Sequence, residues 1–198
     1  MTYEEYYGDM LPVLKQTEKY LLDLINKFQT ENPLEGVEPI IYCTSRIKAP
    51  ESLKTKLELN GYSADRETAL REMHDIVGIR VICSFADDVY DVVNWLCGRE
   101  EFEVVTQKDY IARPKPNGYR SYHLILNLKE GAGKGLKVEI QVRTIATDFW
   151  AALEHQIKYK HDVKNEKMIR EELKRCADEI ASVDMSMQTI RDIIREES

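Results

Sequence analysis

The segment from Arg113 to His123, with the sequence RPKPNGYRSYH, carries the densest set of chemically useful side chains in the chain. Two prolines and a glycine give it a defined loop shape. Its three cations, amide, aromatic ring and histidine could hold a phosphate or stack on a base. The apolar residues Leu124–Leu126 follow as a strand, so the loop lies at a sheet edge, where binding sites are usually built. An ordinary solvated turn is the competing interpretation, because proline, asparagine and glycine mark turns everywhere.

A second group of polar side chains lies at the end of a predicted strand and the start of the helix that follows it. Arg46 and Lys48 fall on one face of the strand, and Ser52 and Lys56 are one helical turn apart. Cations and a hydroxyl at a strand end and a helix N-terminus suit the binding of a polyphosphate. A solvated charged surface explains this segment equally well when it is taken alone.

Asp75 enters the apolar strand predicted over residues 76–85, where a carboxylate needs a partner or a metal ion. Asp75 and Arg80 would lie on opposite faces of a regular strand, so the sequence predicts either a bulge at Gly78 or a strand that begins after Asp75. The preceding His74 also fits a metal hydrolase with a His-Asp dipeptide. Such a site needs several more ligands, and the chain has only four histidines, so this class is disfavoured.

Strict alternation of apolar and polar residues in the segment LKVEIQVR predicts a strand over residues 136–143. Its polar face consists of Lys137, Glu139, Gln141 and Arg143. Glu139 together with Asp75 on a neighbouring strand is the minimum needed to hold Mg²⁺ beside phosphates. A sheet face that only contacts solvent is the competing interpretation, and this strand taken alone favours it.

The elements that must position these residues follow from the spacing of apolar residues. Strands are predicted over residues 40–46, 76–85, 102–111, 121–129 and 136–143, and helices over 5–29, from Pro50 to Asn60, over 87–97 and after Thr144. This order predicts an α/β or α+β fold, with a mixed sheet of about five strands flanked by helices.

Two apolar stripes are predicted in the C-terminal part of the chain. The helix after Thr144 is expected to bury Ile145, Phe149, Leu153 and Ile157, to use Trp150 for packing and to pair Glu154 with Lys158. Within residues 165–196, apolar side chains repeat at intervals of three and four as in a coiled coil, at Ile169, Leu173, Cys176, Ile180, Val183, Met187, Ile190 and Ile194. This seam could cover the chain's own sheet or meet a second subunit, and the pattern favours neither.

The chain has 198 residues, of which 43% are hydrophobic and 32% are charged, as is ordinary for a globular domain. Its net charge of −7 argues against nucleic-acid binding driven by overall charge, but it allows a local basic pocket. No apolar run approaches the roughly 20 residues of a membrane-spanning helix. The N-terminus is acidic and lacks a signal-peptide pattern, so a cytoplasmic location is expected. The four cysteines are far apart, which disfavours zinc and disulfide frameworks and favours buried, reduced thiols.

Five motifs occur in the same order as in a known family. They are Arg46-x-Lys48-x-x-x-Ser52-x-x-x-Lys56, His74–Arg80 (HDIVGIR), Lys115–His123 (KPNGYRSYH), Glu139–Thr144 (EIQVRT) and Phe149–His155 (FWAALEH). Together they resemble the synthetase domain of the RelA/SpoT proteins over nearly the whole chain. The length and the C-terminal residues resemble the stand-alone small alarmone synthetases.

The resemblance implies a GTP pyrophosphokinase of the stringent response. Such enzymes transfer the β,γ-pyrophosphoryl group of ATP to the 3′-hydroxyl of GTP or GDP, and the products are AMP and (p)ppGpp. The resemblance also implies a fold like that of the polymerase-β-type nucleotidyltransferases, with residues 1–198 as a single synthetase domain. No hydrolase domain and no regulatory region are expected, so neither (p)ppGpp degradation nor ribosome-triggered control is expected.

Roles for individual residues are also implied by the resemblance. The ATP-binding set is Arg46, Lys48, Ser52, Lys56 and Arg80, in which the two arginines would sandwich the adenine and the others would hold phosphates. The set for GTP or GDP is Lys115, Asn117, Tyr119, His123, Gln141 and Arg143, in which the tyrosine would stack on the guanine. The catalytic and metal-binding pair is Asp75 and Glu139. Both would bind Mg²⁺, and Glu139 could help to deprotonate the 3′-hydroxyl.

Some close relatives form homotetramers with an alarmone-binding central cleft, so the resemblance implies a homo-oligomer. The first helix and residues 165–196 are its candidate contact surfaces, and (p)ppGpp or single-stranded RNA is a candidate regulatory ligand. Tyr42 and Thr44 match the aromatic residue and the threonine of that cleft. Ile25 stands where those relatives have a lysine, with Lys27 nearby.

Two other functions fit parts of the pattern. A toxin-like relative would pyrophosphorylate the 3′ end of tRNA with the same chemistry, but the net charge of −7 counts against docking of tRNA. A non-catalytic module that binds a nucleotide or RNA would need no pair of metal-binding carboxylates, so the presence of both Asp75 and Glu139 counts against it.

Overall fold

The computed structural model describes residues 1–32, 38–158 and 165–197. Its strands are β1 (Ile40–Ile47), β2 (Val77–Cys83), β3 (Phe102–Asp109), β4 (Tyr122–Leu128) and β5 (Lys137–Thr144). Its helices are α1 (Tyr3–Tyr7), α2 (Met10–Glu31), α3 (Pro50–Leu59), α4 (Arg66–Glu72), α5 (Ala86–Cys97), α6 (Ile145–Lys158) and α7 (Glu166–Glu196). All five predicted strands are present, and each end lies within two residues of its predicted position.

The five strands form one sheet in the order β1-β2-β5-β4-β3. Strands β2 and β5 are parallel and the other neighbours are antiparallel, so the predicted mixed sheet is confirmed. The register of β2 is continuous from Val77 to Cys83 against β5 and from Val77 to Ile82 against β1, so there is no bulge at Gly78. The strand therefore begins after Asp75. Of the two predicted alternatives, a bulge at Gly78 and a later strand start, the structure has the later start.

One face of the sheet is buried and the other carries polar side chains. Helices α2 and α5 pack against the buried face, and its fully buried side chains include Val81, Leu124, Leu126, Val138, Ile140 and Val142. Because side chains alternate along a strand, Glu139 and Gln141 point to the opposite face, where they are half-buried. The alternation predicted for β5 thus separates a core face from a candidate site face.

The N-terminal prediction of one helix over residues 5–29 is wrong in detail. Helix α1 ends at Tyr7, and Gly8 has a positive φ of +54° before α2 begins. The prediction also missed α4, whose N-terminus is capped by Asp65 accepting a hydrogen bond from Thr68 N at 2.8 Å. This helix has only seven residues, which is too short for an apolar repeat to stand out.

The apolar stripe of α6 is exposed, so the prediction that it is buried is wrong. Its four members, Ile145, Phe149, Leu153 and Ile157, are 40–59% exposed. The helix instead buries Asp148, Trp150 and Glu154, and the Trp150 indole donates to the backbone oxygen of Leu173 in α7 at 2.8 Å. Helical periodicity identifies an apolar side, but it does not say whether the same chain covers that side.

The C-terminal seam divides into two halves. Its first four members, Ile169, Leu173, Cys176 and Ile180, are half-buried, and its last four, Val183, Met187, Ile190 and Ile194, are exposed. The exposed half is not free of the core, because Arg191 in this region pairs with Asp88 of α5 at 2.8 Å and lies over the Phe85 ring. The seam thus covers its own chain along one half only.

All four cysteines are free thiols, as predicted. The prediction of buried thiols is right only for Cys83, because Cys43, Cys97 and Cys176 are half-buried. Burial nevertheless raises the pKa of the Cys43 thiol to about 11, so this thiol is protonated near neutral pH.

Candidate active site

Strand register places the predicted site residues of three strands side by side on the polar face of the sheet. Arg46 pairs with Gly78 between β1 and β2, and Gly78 pairs with Glu139 between β2 and β5. Arg80 pairs with Gln141 in the same way. A cleft of about 150 Å³ lies between these residues. The Arg46 side chain passes over Gly78. A Cβ added at Gly78 would lie 3.7 Å from Arg46 Cγ, which is ordinary van der Waals contact.

Asp75 lies at one end of this face between two lysines. Its Oδ2 accepts hydrogen bonds from Lys48 Nζ and Lys56 Nζ, both at 2.7 Å. Burial would raise the pKa of Asp75, but the two ammonium groups outweigh burial, so this pKa lies below its ordinary value. Ser52 is exposed one helical turn before Lys56 and completes the predicted cationic rim.

The second carboxylate oxygen of Asp75, Oδ1, is a candidate ligand for the predicted Mg²⁺ ion. Asp75 Oδ1 is buried and has no hydrogen-bond partner among the described residues. Glu139 is close enough for the charge of Asp75 to raise its pKa. The described part of the chain contains no group of three or more histidine, cysteine, aspartate or glutamate residues placed to hold a metal ion. Two carboxylates nevertheless fit Mg²⁺, which is commonly held by one or two carboxylates together with substrate phosphates.

Five predicted residues form a closed circuit of hydrogen bonds, which we call the acceptor cluster: Tyr119, His123, Glu139, Gln141 and Arg143. Glu139 Oε1 lies 3.3 Å from His123 Nδ1, and His123 Nε2 lies 2.8 Å from the Tyr119 hydroxyl. Arg143 donates to that hydroxyl at 2.9 Å and also to Gln141 Oε1. Gln141 closes the circuit by donating to Glu139 Oε2 at 2.9 Å.

The contact between His123 and Tyr119 can run in either direction. The Tyr119 hydroxyl accepts a hydrogen bond from Arg143, and it can also donate to His123 Nε2 or accept from it, depending on which ring nitrogen carries the proton. A proton on His123 Nδ1 is donated to Glu139. Burial would raise the pKa of Glu139, but the contacts with His123 and the hydrogen bond from Gln141 together outweigh it, so this pKa lies below its ordinary value. Glu139 is therefore ionised at neutral pH.

Lys115 lies against two aromatic rings at the mouth of the acceptor cluster. Its Nζ is 4.9 Å from the centre of the Tyr119 ring and 4.6 Å from that of Tyr110. Tyr110 also contacts His123 edge to face, with ring centres 5.3 Å apart. The sequence had marked Lys115 and Tyr119 but not Tyr110, which lies just outside the matched motif. Tyr119 is half-buried and not sealed in the interior, as a stacking platform requires.

Helices α6 and α7 hold the loop that carries Tyr119. Asn117 donates to Glu154 Oε1 of α6 at 3.1 Å, and its own oxygen accepts from Tyr119 N. Arg120 donates to Ala177 O at 3.3 Å and to Asp178 Oδ1 at 3.0 Å, both in α7. The structure thus places Asn117, a predicted nucleotide contact, among residues that shape the loop.

The family model for the region found in RelA and SpoT proteins matches residues 45–164. The chain belongs to the RelA/SpoT family. The GTP pyrophosphokinase YwaC of Bacillus subtilis is 42% identical to this RelA/SpoT protein over 181 residues, which cover 87% of this chain and 86% of YwaC.

Two solved structures have the same fold as this RelA/SpoT protein. The small alarmone synthetase 2 of Bacillus subtilis has a TM-score of 0.81 and 40% identity, over 94% of this chain and 98% of that chain. The small alarmone synthetase 1 of Bacillus subtilis, bound to its product pppGpp, has a TM-score of 0.82 and 32% identity, over 96% of this chain and 98% of that chain. The predicted fold class is thereby confirmed.

One buried carboxylate of this RelA/SpoT protein escaped the sequence analysis. Asp148 lies in the first turn of α6, and its Oδ2 accepts from the Tyr42 hydroxyl at 2.9 Å. Its Oδ1 lies 3.4 Å from Arg143 Nη1 and 3.5 Å from Arg80 Nη1. The only available signal was an acidic residue on a predicted helix, which is usual at helix N-termini and points to no particular partner.

Proposed function

We propose that the protein is a GTP pyrophosphokinase that transfers the β,γ-pyrophosphoryl group of ATP to the 3′-hydroxyl of GTP or GDP in the stringent response. One observation carries the proposal. Glu139 lines the cleft between Arg46 and Arg80 and also belongs to the acceptor cluster with Tyr119. A single carboxylate therefore stands between a candidate donor pocket and a candidate acceptor pocket, as transfer between two bound nucleotides requires. Membership of the RelA/SpoT family supports the same reaction.

The donor pocket would hold ATP with Arg46, Arg80, Lys48, Ser52 and Lys56. Guanidinium groups are planar, so the two arginines suit stacking on both sides of an adenine. Arg80 Nε is buried without a hydrogen-bond partner among the described residues, which leaves a donor for the nucleotide. The two lysines and the serine would bind the phosphates, since ammonium and hydroxyl groups are donors to phosphate oxygens.

The acceptor pocket would hold GTP or GDP with Lys115, Asn117, Tyr119, His123, Gln141 and Arg143. The Tyr119 ring would stack on the guanine, a contact worth about 1–3 kcal/mol by analogy with nucleic-acid bases. Lys115 lies at the same ring and would place an ammonium group near the phosphates of the acceptor. Asn117 would act from its place in the loop that presents Tyr119.

In the proposed reaction, the 3′-oxygen of the acceptor attacks the β-phosphorus of ATP in line with the leaving oxygen. The new bond joins the 3′-oxygen to this phosphorus, the bond from the phosphorus to the α,β-bridging oxygen breaks, and AMP leaves. Glu139 is ionised, so it can accept the proton of the 3′-hydroxyl. Asp75 and Glu139 would also hold Mg²⁺, which supplies charge neutralisation to the phosphates. Most of the rate then comes from positioning and electrostatics.

The test is an assay of the purified chain with ATP labelled in the β- and γ-phosphates, Mg²⁺ and one acceptor at a time. GTP, GDP, GMP and tRNA serve as acceptors, and chromatography separates the products. We expect AMP together with a guanine nucleotide that carries the label. Label on tRNA alone would favour the tRNA-modifying alternative. Nucleotide binding without transfer to any acceptor would favour the non-catalytic module.

We also propose that the protein assembles as a homotetramer with residues 1–198 as one synthetase domain. Support comes from two exposed apolar surfaces, the α6 stripe Ile145, Phe149, Leu153 and Ile157 and the second half of the α7 seam. Clusters of exposed apolar side chains are typical of protein contact sites. Sedimentation at micromolar concentration should give four times the 23.1 kDa mass of the chain, and a monomer alone would refute the assembly. Candidate regulatory ligands of this assembly are (p)ppGpp and single-stranded RNA. Binding of each ligand to the purified protein would be measured separately.

We propose a cytoplasmic location, because the proposed reaction needs ATP and guanine nucleotides, which are intracellular. Among the described residues, the structure contains no helix with the length and hydropathy of a membrane span.

A further inference from the structure

Asp148 is a buried carboxylate that receives side chains from three strands. It lies in α6, whereas Tyr42 belongs to β1, Arg80 to β2 and Arg143 to β5. Its side chain is 13% exposed, and both carboxylate oxygens are occupied, Oδ2 by Tyr42 and Oδ1 by the two guanidinium groups. No other carboxylate among the described ion pairs is within 4.0 Å of two arginines that the proposed reaction uses.

Each of the two arginines next to Asp148 belongs to one of the proposed purine pockets. Arg80 is itself proposed to stack on the adenine of ATP. Arg143 donates to the Tyr119 hydroxyl at 2.9 Å, so its position sets the ring that is proposed to stack on the guanine. Asp148 therefore contacts one member of each proposed pocket, and it reaches Tyr119 through Arg143.

Electrostatics explains why a carboxylate is needed at this point. The Arg143 side chain is only 3% exposed, and a buried guanidinium requires a compensating charge. The charge of Arg80 adds to burial in lowering the pKa of Arg143, so the two cations repel each other. A carboxylate between them compensates both charges, and its removal would push them apart.

We propose that Asp148 is a positioning residue that fixes Arg80 on the donor side and, through Arg143, Tyr119 on the acceptor side. The assignment of the two sides rests on the proposed function. A single carboxylate thereby sets the relative placement of the two purine-binding groups. A purely structural role of Asp148 would lower the stability of the fold without changing the affinity for either nucleotide.

The experiment compares Asp148→Asn, Asp148→Glu and a matched control, Asp184→Asn. Asp184 is a half-buried carboxylate on α7 that accepts from Thr144 Oγ1 at 2.6 Å and touches neither arginine. Calorimetric titration with a non-hydrolysable ATP analogue and, separately, with GDP gives affinities that need no turnover. Thermal melting of each variant reports stability.

Loss of a hydrogen-bonded charge at such a site should weaken binding of both nucleotides by about tenfold in Asp148→Asn. Asp148→Glu keeps the charge but moves it by one methylene group, so it should weaken both by about threefold or more, with less loss of melting temperature. Asp184→Asn should change only the melting temperature. If Asp148→Asn does not fold, the affinities of Asp148→Glu for the two nucleotides, compared with wild type, decide the question.

Affinities for both nucleotides that stay at the wild-type value in a folded Asp148 variant would overturn the proposal. So would equal effects in the Asp148 and Asp184 variants. The proposed function fails separately, if the wild-type chain binds both nucleotides but transfers nothing between them, because the titrations remain informative in that case.

Discussion

The donor and acceptor sides of the cleft are built in different ways. On the donor side, Arg46, Arg80 and the pair Lys48–Asp75 lie on strands of the sheet or directly beside them, and their positions follow from strand register. On the acceptor side, Tyr119 lies in a loop that α6 and α7 hold from outside. We therefore expect changes in the contacts that hold this loop, such as those of Arg120 with α7, to affect acceptor binding and to leave donor binding unchanged. Glu139 belongs to both sides, so its replacement should not affect one side alone.

The largest effect is therefore expected from Glu139→Gln. The amide keeps the shape of the side chain but cannot accept a proton, so kcat should fall by about 10²–10⁴-fold while both nucleotides still bind. Steady-state rates and calorimetric titrations measure the two quantities. Glu103→Gln, on β3, is the control and should behave as wild type. Normal turnover in Glu139→Gln would remove Glu139 from the mechanism.

Tyr119→Ala tests whether the aromatic ring holds the acceptor base. Loss of about 1–3 kcal/mol of stacking should raise the KM for GTP by about 5- to 150-fold and leave the KM for ATP within about twofold. Tyr119→Phe keeps the ring and should lose far less affinity. If the KM for ATP rises as much as that for GTP, the two sides are not separate.

Arg120→Ala tests the attachment of the acceptor loop to α7. The side chain links the loop to Ala177 O and Asp178, so its loss should raise the KM for GTP by about three- to tenfold without changing the KM for ATP. The matched control is Arg175→Ala, because Arg175 is an exposed arginine of the same helix that pairs only with Glu172 and Glu179 among the described ion pairs. Equal kinetics in the two variants would contradict a role for α7 in acceptor binding.

The smallest expected effect concerns the pH dependence of stability on the donor side. The pKa of Asp75 is lowered in the folded protein, so its stabilising contribution is present above the ordinary carboxyl pKa of about 4 and is lost as the pH falls through the lower folded value. Each unit of difference corresponds to about 1.4 kcal/mol. Urea unfolding between pH 6 and pH 3 should show a smaller loss of stability in Asp75→Asn than in wild type.

The control for this pH series is Asp178→Asn, on the acceptor side. Asp178 pairs with Arg120 at the surface, where solvent screens the interaction, so this variant should follow the wild-type pH profile closely. Parallel curves for Asp75→Asn and wild type would mean that the lysine pairs of Asp75 add nothing to stability.

Much of the fold and of the site could be predicted because their signals are local. The alternation in β5 gave the side on which Glu139 and Gln141 lie, and the apolar run of β2 identified a central strand behind Asp75. The loop with Tyr119 stood out through its composition. These signals come from residues that are close together in the sequence. In a strand, for example, the alternation of side chains alone decides which residues share a face.

The parts that could not be predicted depend on contacts between distant segments. Asp148 meets Tyr42 across 106 positions of sequence, and no pattern within α6 indicates such a partner. Burial of Asp148 and Glu154 also explains the error on the α6 stripe. The helix turns its polar side inward because that side holds Arg143 and Asn117, so the apolar side faces outward.

The loop that carries Tyr119 approaches α7 closely where Gly118 lies against Ala177. Gly118 has φ +89°, and a Cβ at this position would come within 2.6 Å of the Ala177 methyl group. A side chain at position 118 would therefore force the loop and α7 apart, because it would also lie 3.5 Å from the backbone of Lys174. The absence of a side chain at Gly118 thus sets how closely the loop that carries Tyr119 can approach α7.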